Sequence, residues 1–517
     1  MPKMTGAEAI VATLRTHGVD TVFGLPGVQL DNLFDALHGA RQSVRMLLAR
    51  HEQGAAYMAL GYAQTTGKVG VCTVVPGPGL LNAAAALCTA SGSNVPVMCI
   101  AGQIPSRQIG RGLGIPHEIL NQEQAIGGVV PWVGRADAPE AAPAVLADGW
   151  RAMLAGRHQP AVFEMAPDIM GKSAEITLPD AAAYPELTAP DAAIADAAAI
   201  LSAARYPAIF VGSGVFGAEA DLQAVAERLQ APVVMSRTAR GALSDRHELA
   251  LGMLGGQEIW DELDVVLVVG TRFLAPALSW GREKEVRIIR VDIDPVQMAK
   301  PREAELSLVG HARPTLAALA AALAGPQAPS RKPILDVVRQ SVAEKLSALE
   351  PQQSFARVIR EEMPDDGIIV TDVTQMATFT QYGMPAYLPR TIITPGYQGT
   401  LGYAYPAALG AKIGNPDRRV LSISGDGGFM FNVQELSTAV AHNIAVVAIV
   451  FADGAFGNVK RIQKDGFGGR HIAVDLHNPD FAALAGCFGM LGLRAETPEQ
   501  LRAAPRCARP LPRADPR

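Results

Sequence analysis

The sequence predicts an α/β protein built of three doubly wound parallel-sheet domains in series, and three observations lead there. The chain has 517 residues, too many for a single hydrophobic core. Short apolar runs of strand length alternate with amphipathic, helix-like segments, the pattern of helices laid over both faces of a parallel sheet. Two stretches rich in Pro, Ala and polar residues, about Lys172 to Asp191 and about Gly325 to Pro333, interrupt that alternation. They divide the chain into units at residues 1-171, 190-325 and 350-517.

In the first unit Ala7 to His17 reads as an amphipathic helix, Thr21 to Phe23 as a strand opening into Gly24-Leu25-Pro26-Gly27, and Leu30 to Leu37 as a helix. Val69 to Val75, Val95 to Ala101 and Ala161 to Met165 are buried-strand runs. In the second unit Ala208 to Gly212, Pro232 to Ser236, Val265 to Gly270 and Ile288 to Ile293 read as strands, separated by helices such as Glu219 to Leu229. The third unit begins near Gln353. There the run Val420 to Ile423 ends in Gly425-Asp426-Gly427-Gly428, and a helix-like segment follows with Phe431, Leu436, Ala439 and Val440 on one face. A second run, Ile444 to Phe451, ends at Ala452-Asp453-Gly454. Strand, glycine turn, helix and strand in succession place both strand ends on one edge of a parallel sheet, so Asp426 and Asp453 are expected side by side.

Hydrophobic residues make up 49% of the chain and charged residues 18%, a soluble globular composition. A net charge of -5 and a pI near 6.1 leave no basic footprint, so no nucleic-acid partner is expected. The apolar runs are shorter than a bilayer span, so no membrane partner is expected either. No charged-then-apolar leader precedes Met4-Thr5-Gly6, which makes a cytoplasmic protein the expectation. Cys72, Cys88, Cys99, Cys487 and Cys507 lack metal-ligand spacing and read as reduced thiols serving as small hydrophobes.

Glycines just ahead of a helix let backbone N–H groups approach a phosphate, and the helix N-terminus favours its charge. Acids at that place would repel a phosphate unless a hard cation lay between them. Asp426 and Asp453 therefore read as magnesium ligands that bridge the metal to a diphosphate. A GD dipeptide after a strand is by itself an ordinary turn; the spaced second acid makes the difference. GDG followed at this distance by an Asn-Asn pair marks enzymes dependent on thiamine diphosphate, and this stretch resembles that signature, with Ala452-Asp453 in place of the pair. The resemblance implies Asp426 as the first Mg2+ ligand, Asp453 as the second and the carbonyl of Ala455 as the third. It also assigns Gly425, Gly427, Gly428, Phe456 and Gly457 to cofactor binding. Asp for Asn at 453 keeps an oxygen at the same reach, and its extra charge is expected to tighten the ion.

Other segments resemble the same family in the same order. Arg50-His51-Glu52, followed by small residues, matches a place where the family's glutamate hydrogen-bonds N1′ of the aminopyrimidine, shifting it to the imino tautomer that deprotonates thiazolium C2. A carboxylic acid in an apolar wall keeps the proton this needs. Val22 to Gly27 resembles the loop beside the substrate, bringing in Gly24, Pro26 and Gly27. Pro76 to Asn82 resembles the turn near the pyrimidine, bringing in Pro78 and Asn82, and Ile100 to Gln103 the strand end whose glutamine faces the active site. Asn82 and Gln103 also read as turn-capping residues. Arg107 to Glu118 departs from the acetolactate synthase pattern, with His117-Glu118 where a Phe-Gln-Glu triplet would stand; His117 is a candidate acid/base or a structural loop histidine. Gln375 matches a diphosphate-binding glutamine, with Met376 replacing the histidine after it. Gly399 to Tyr403 resembles a segment in which Leu401 would wedge beneath the cofactor, forcing its bent shape, while the Gly399 carbonyl accepts from the 4′-amino group.

The resemblance is nearest to the acetolactate synthase-like group. It implies a thiamine diphosphate- and magnesium-dependent enzyme acting on a 2-oxo acid, with carboligation after decarboxylation as the leading reaction and simple decarboxylation as the alternative. Because Glu52 and the GDG turn lie on different units, it also implies sites shared between chains of a homodimer or homotetramer. Thr271 to Ala277 lacks the FDDR-like run of flavin-binding relatives, so FAD is expected to be absent. Two rivals stand beside this. Gly212-Ser-Gly214-Val-Phe-Gly217 has dinucleotide-fingerprint spacing, which would make the chain a NAD- or FAD-binding oxidoreductase, but the next strand ends in Met235-Ser236-Arg237 without the ribose-binding acid, so a turn needed for tight packing is the plainer reading. The prolines and arginines from Leu501 to Arg517 cannot build a central strand or helix. They suggest an altered, disordered terminus and so a non-catalytic relative.

Overall fold

The computed structural model describes residues 2–281, 286–323 and 328–504. After a short strand β1 (Lys3–Thr5), six strands form one sheet: β2 (Thr21–Gly24), β3 (Arg45–Leu48), β4 (Gly70–Val74), β5 (Val97–Gly102), β6 (Trp132–Ala136) and β7 (Ala161–Met165). All are parallel, in the order 3-2-4-5-7-6, and β8 (Ser173–Glu175) returns to pair antiparallel with β1. β8 lies inside the stretch expected to be a linker. β6 escapes an apolar-run reading because it is an edge strand, half-buried along most of its length.

The second sheet contains β9 (Pro207–Val211), β10 (Val233–Met235), β11 (Ala250–Gly252), β12 (Val265–Val269), β13 (Arg287–Asp292) and β14 (Leu306–Val309), parallel in the order 11-10-9-12-13-14. The two edge strands are the ones the sequence reading did not name. The glycine turn after β9 is a packing device: a Cβ on Gly212 would lie 2.4 Å from the Gly270 carbonyl oxygen, and one on Gly214 2.8 Å from Gly270 Cα.

The third sheet has β15 (Ile368–Thr371), β16 (Ile392–Ile393), β17 (Val420–Gly425) and β18 (Val447–Phe451), parallel in the order 16-15-17-18. Its register sets Thr371 beside Ile423 and Gly425 beside Phe451, so the loops after β15, β17 and β18 emerge on one edge. The single helix expected after β17 is two, Asp426–Phe429 and Glu435–Ala441. Asn432, in the turn between them, donates from Nδ2 to the Gly402 carbonyl at 2.7 Å. The break leaves Leu436 and Ala439 buried but turns Phe431 and Val440 to the surface. β18 starts three residues later than expected and forms an edge of the sheet, largely half-buried.

The first and third units share an apolar core. The Glu52–Thr66 helix lies on the Ala404–Gly414 helix so closely that a Cβ on Gly61 would come 2.0 Å from the Ala407 carbonyl oxygen, and one on Gly410 1.8 Å from that of Met58. Tyr57 and Tyr403 meet edge to face at 5.6 Å in the same contact.

Two further expectations are modified. The helix Pro498–Ala503 runs into the Pro/Arg-rich end: Leu501 packs on the cluster containing Ala356 and Ile359, and Arg502 pairs with Glu361 and Glu362. Residues 505–517, including Cys507, and part of the second linker, 325–327, lie outside the described residues. Cys72 and Cys99 are buried side by side on β4 and β5, whereas Cys487 is exposed on a helix, Phe481–Cys487, that buries none of its residues. Among the described residues no helix is long and apolar enough to cross a membrane.

Candidate active site

Asp426 directly follows β17 and is 1% exposed. Its Oδ1 accepts from Gly427 N at 2.7 Å, and its Oδ2 from Gly454 N at 2.7 Å and Asn478 Nδ2 at 2.8 Å. Asp453, two residues beyond β18, accepts on Oδ1 from Ala455 N at 3.3 Å. Burial and the neighbouring negative charge of Asp426 push the Asp453 carboxyl above the usual range. Two carboxylates that repel at the mouth of a glycine turn are a donor set suited to a hard divalent cation. Ala455 forms an isolated antiparallel bridge with Asp475, framed by bonds from Phe456 N to Val474 O and from Leu476 N to Gly454 O, both 2.8 Å. In that pairing the N–H and C=O of Ala455 point away from the 474–476 segment, on the side where its N–H meets Asp453. Among the described residues no cluster of three or more His, Cys, Asp or Glu could hold a metal ion; the set read from the sequence has two acids and a backbone carbonyl.

The cradle around these acids is made by absent side chains. A Cβ on Gly427 would lie 2.6 Å from the Phe456 ring, one on Gly428 2.6 Å from Asp372 Oδ2, and one on Gly457 2.7 Å from Asp453 Oδ2 and 3.5 Å from Gln375 Nε2. Gly425 lies against Thr374, the N-cap of the helix that begins with Gln375. Gly399 adopts φ 60°, Leu401 is half-buried, and between them Thr400 Oγ1 lies 3.0 Å from Thr89 Oγ1 of the Pro78–Ser93 helix.

Glu52 opens its helix directly after the segment leaving β3, with His51 as N-cap accepting from Gln53 N at 3.1 Å. Its Oε2 accepts from Asn82 Nδ2 at 3.1 Å, which brings together two residues named from separate motifs. Pro78 is the first residue of Asn82's helix, where its missing N–H costs nothing. Gly24 and Gly27 pack against the end of β4, a Cβ at each coming within 2.5 Å of Thr73 O and 2.3 Å of Val75 Cγ1 respectively, and Pro26 between them is exposed. His117 has φ 68°, and its Nδ1 lies 2.8 Å from Gln29 Nε2. Glu118 turns back on its own loop, accepting from Gly112 N, Gly114 N and Ile115 N at 3.0, 2.7 and 3.2 Å.

Gln103, expected to face the active site, has both ends of its amide engaged within the first unit. Its Nε2 donates to Glu164 Oε1 at 3.3 Å and its Oε1 accepts from Ile104 N at 2.7 Å, because Glu164 is a fully buried carboxylate on β7 that needs donors. Three participants were not singled out from the sequence. Asn478 fastens Asp426 from a region without periodicity; its only signal is the Asn-Pro-Asp turn that caps the next helix. Asp372 closes β15 fully buried, accepts from Gly402 N at 3.0 Å, and is pushed by burial to about 7. Glu435 accepts from Arg50 N at 3.2 Å and from Thr438 Oγ1 at 2.5 Å, holding the backbone that leads into Glu52.

Comparison with known proteins gives the family. The chain matches family models for the thiamine pyrophosphate enzyme N-terminal TPP binding domain over residues 4–125, the central domain over 194–319 and the C-terminal TPP binding domain over 372–513. It belongs to the thiamine pyrophosphate-dependent enzymes. Within that family it is acetolactate synthase-like: it is 33% identical over 485 residues to the acetolactate synthase isozyme 1 large subunit of Escherichia coli, covering 89% of this chain and 84% of that protein. The acetolactate synthase large subunit of Corynebacterium glutamicum is 31% identical over 549 residues, 98% of this chain and 85% of the relative. A probable 2-ketoarginine decarboxylase, AruI, of Pseudomonas aeruginosa is 35% identical over 500 residues, 94% and 88% of the two chains.

Proposed function

We propose that the protein is a thiamine diphosphate- and magnesium-dependent enzyme that cleaves the bond beside the carbonyl of a 2-oxo acid and joins the retained fragment to a second carbonyl, as an acetolactate synthase does. The observation that carries this reading is the pair Asp426 and Asp453 at adjacent strand ends, beside a turn that side chains would fill. Asp426, Asp453 and the Ala455 carbonyl would hold Mg2+. Gly427, Gly428 and Gln375 would receive the diphosphate, while Glu52, Asn82, Gly399 and Leu401 would hold the pyrimidine. When bound, thiamine diphosphate supplies a nucleophilic carbon and an electron sink for cleavage next to a carbonyl. Glu52, steadied by Asn82, would keep a proton on the pyrimidine ring nitrogen, and His117, bonded to Gln29, would serve as acid or base towards the substrate.

Asn82 is exposed and Glu52 half-buried, and Leu81, beside Asn82 in the chain, is 46% exposed. This supports a second copy as the cover of these residues and a homodimer or homotetramer as the working form. The second reading, decarboxylation without ligation, is favoured by the decarboxylase relative and by the loop carrying His117.

Calorimetric titration with thiamine diphosphate, with and without Mg2+, tests the cofactor: binding that depends on the metal is expected, and none under either condition removes the reading. Pyruvate consumption with carbon dioxide and product analysis separates the two reactions, acetolactate or acetoin marking ligation and free aldehyde marking decarboxylation. The purified protein is expected to lack flavin absorbance.

A further inference from the structure

Glu164 is a carboxylate that the chemistry above does not use. It sits on β7 with 0% exposure and is met by Gln122 Nε2 at 2.6 Å, Gln103 Nε2 at 3.3 Å and Arg135 Nη1 at 3.3 Å. Burial raises its pKa, and the two glutamine amides draw it back down.

Gln122 is itself 4% exposed, and its Nε2 also donates to the Gly102 carbonyl at 3.0 Å. With both amide hydrogens taken, its Oε1 faces the opposite way, where it accepts from Gly77 N at 2.8 Å. Gly77 is the N-cap of the Pro78–Ser93 helix, has φ 57° and offers no side chain to cap it. The carbonyl of His117 passes so close that a Cβ on Gly77 would lie 2.3 Å from it. The helix that starts here is the one presenting Asn82 to Glu52.

We propose that Glu164 is a positioning residue for the Glu52 site: by orienting the Gln122 amide it fixes the Gly77 turn, and with it the start of the helix that holds Asn82 against Glu52. The assignment rests on the reading of Glu52 as the cofactor's partner, whereas the relay itself is a property of the protein alone. Glu164 accepts from the Gln122 amide nitrogen alongside the Gly102 carbonyl, so its loss leaves that amide held only by the Gly102 carbonyl and the Gly77 N–H and loosens the oxygen that meets Gly77.

The test uses the full chain as wild type, Glu164→Leu, Glu164→Gln, Gln122→Leu and the double variant of both leucine changes. Gly77 lies between Pro76 and Pro78, so its amide is the only one in that tripeptide. Deuterium exchange at Gly77 without cofactor is expected to quicken about fivefold or more in Glu164→Leu and Gln122→Leu, the scale of one lost hydrogen bond. Thiamine diphosphate affinity, titrated with Mg2+ present, is expected to weaken by a similar factor in each, with no further loss in the double variant, since both act through one donor. Glu164→Gln keeps an oxygen that accepts from Gln122 and is expected to stay within about twofold of wild type on both measures, which separates the loss of the acceptor from the loss of the charge. Gly77 exchange unmoved in Gln122→Leu, or losses that add fully in the double variant, overturn the relay. A wild-type chain that binds no thiamine diphosphate overturns the link to a cofactor site, with Gly77 exchange still reporting on the relay by itself. Should Glu164→Leu fail to fold, Gln122→Leu and Glu164→Gln carry the same comparison.

Discussion

Asp453 stands where the family signature has asparagine, and its like-charged neighbour Asp426 makes that choice costly without a cation. Asp453→Asn is therefore expected to retain metal-dependent cofactor binding with weaker Mg2+ affinity, whereas Asp426→Ala, which removes an anchor that also ties Gly454 and Asn478, is expected to abolish it in titration calorimetry. Glu52→Gln is expected to bind thiamine diphosphate but to exchange its C2 proton about 100-fold more slowly or worse. Equal exchange rates in the variant and the wild type would remove Glu52 from the mechanism. Asp372 gives a pH signature. Its folded pKa is raised to about 7, from an ordinary value of 3.8, by burial. The folded state thus holds its proton over a range in which the unfolded chain has lost it, and stability falls as pH rises from about 4 towards about 7. Asp372→Asn, which keeps an oxygen for Gly402 N, is expected to flatten that fall in melting temperature; an unchanged slope would count against the assignment.

At the scale of elements, the contact between the Glu52–Thr66 and Ala404–Gly414 helices decides how the outer units meet. Gly61 and Gly410 admit the opposing backbones at distances no Cβ tolerates. Gly61→Ala or Gly410→Ala is expected to lose about 1–3 kcal/mol of stability or more, read by chemical denaturation. Unaltered denaturation midpoints would mean that the helices can part without cost. The broken helix after β17 is a second element decided by tertiary contact, since Asn432 turns aside to reach Gly402 and Phe431 is carried to the surface.

For the whole molecule, the exposure of Asn82 beside half-buried Glu52 gives a prediction about assembly. Co-expressed Glu52→Gln and Asp426→Ala chains, each inactive alone, are expected to regain about a quarter of wild-type activity if each site draws on two chains, because half of random dimers carry one intact site. No recovery, with mixed dimers confirmed by mass, would place each site within one chain.

The sequence by itself determined the strand order of events along the chain and the chemistry of its turns. Buried parallel strands are continuous apolar runs, and Ala161–Met165 and Glu219–Leu229 emerge with the bounds read from pattern alone. Edge strands such as β6, β11 and β14 were not legible, because a strand half open to solvent or three residues long leaves no such run. Turn chemistry likewise singled out Asp426 and Asp453, each just past a strand end, whereas Glu52 and Asn82 came from the resemblance to thiamine diphosphate-dependent enzymes. Only the tertiary structure decided what those residues touch. It joined Asn82 to Glu52, brought Asn478 to Asp426, tied Gln103 to Glu164 and set Glu435 beneath Arg50. Such partners lie tens to hundreds of residues apart, and a hydrogen bond depends on where two backbones come to rest, which periodicity along one segment does not encode.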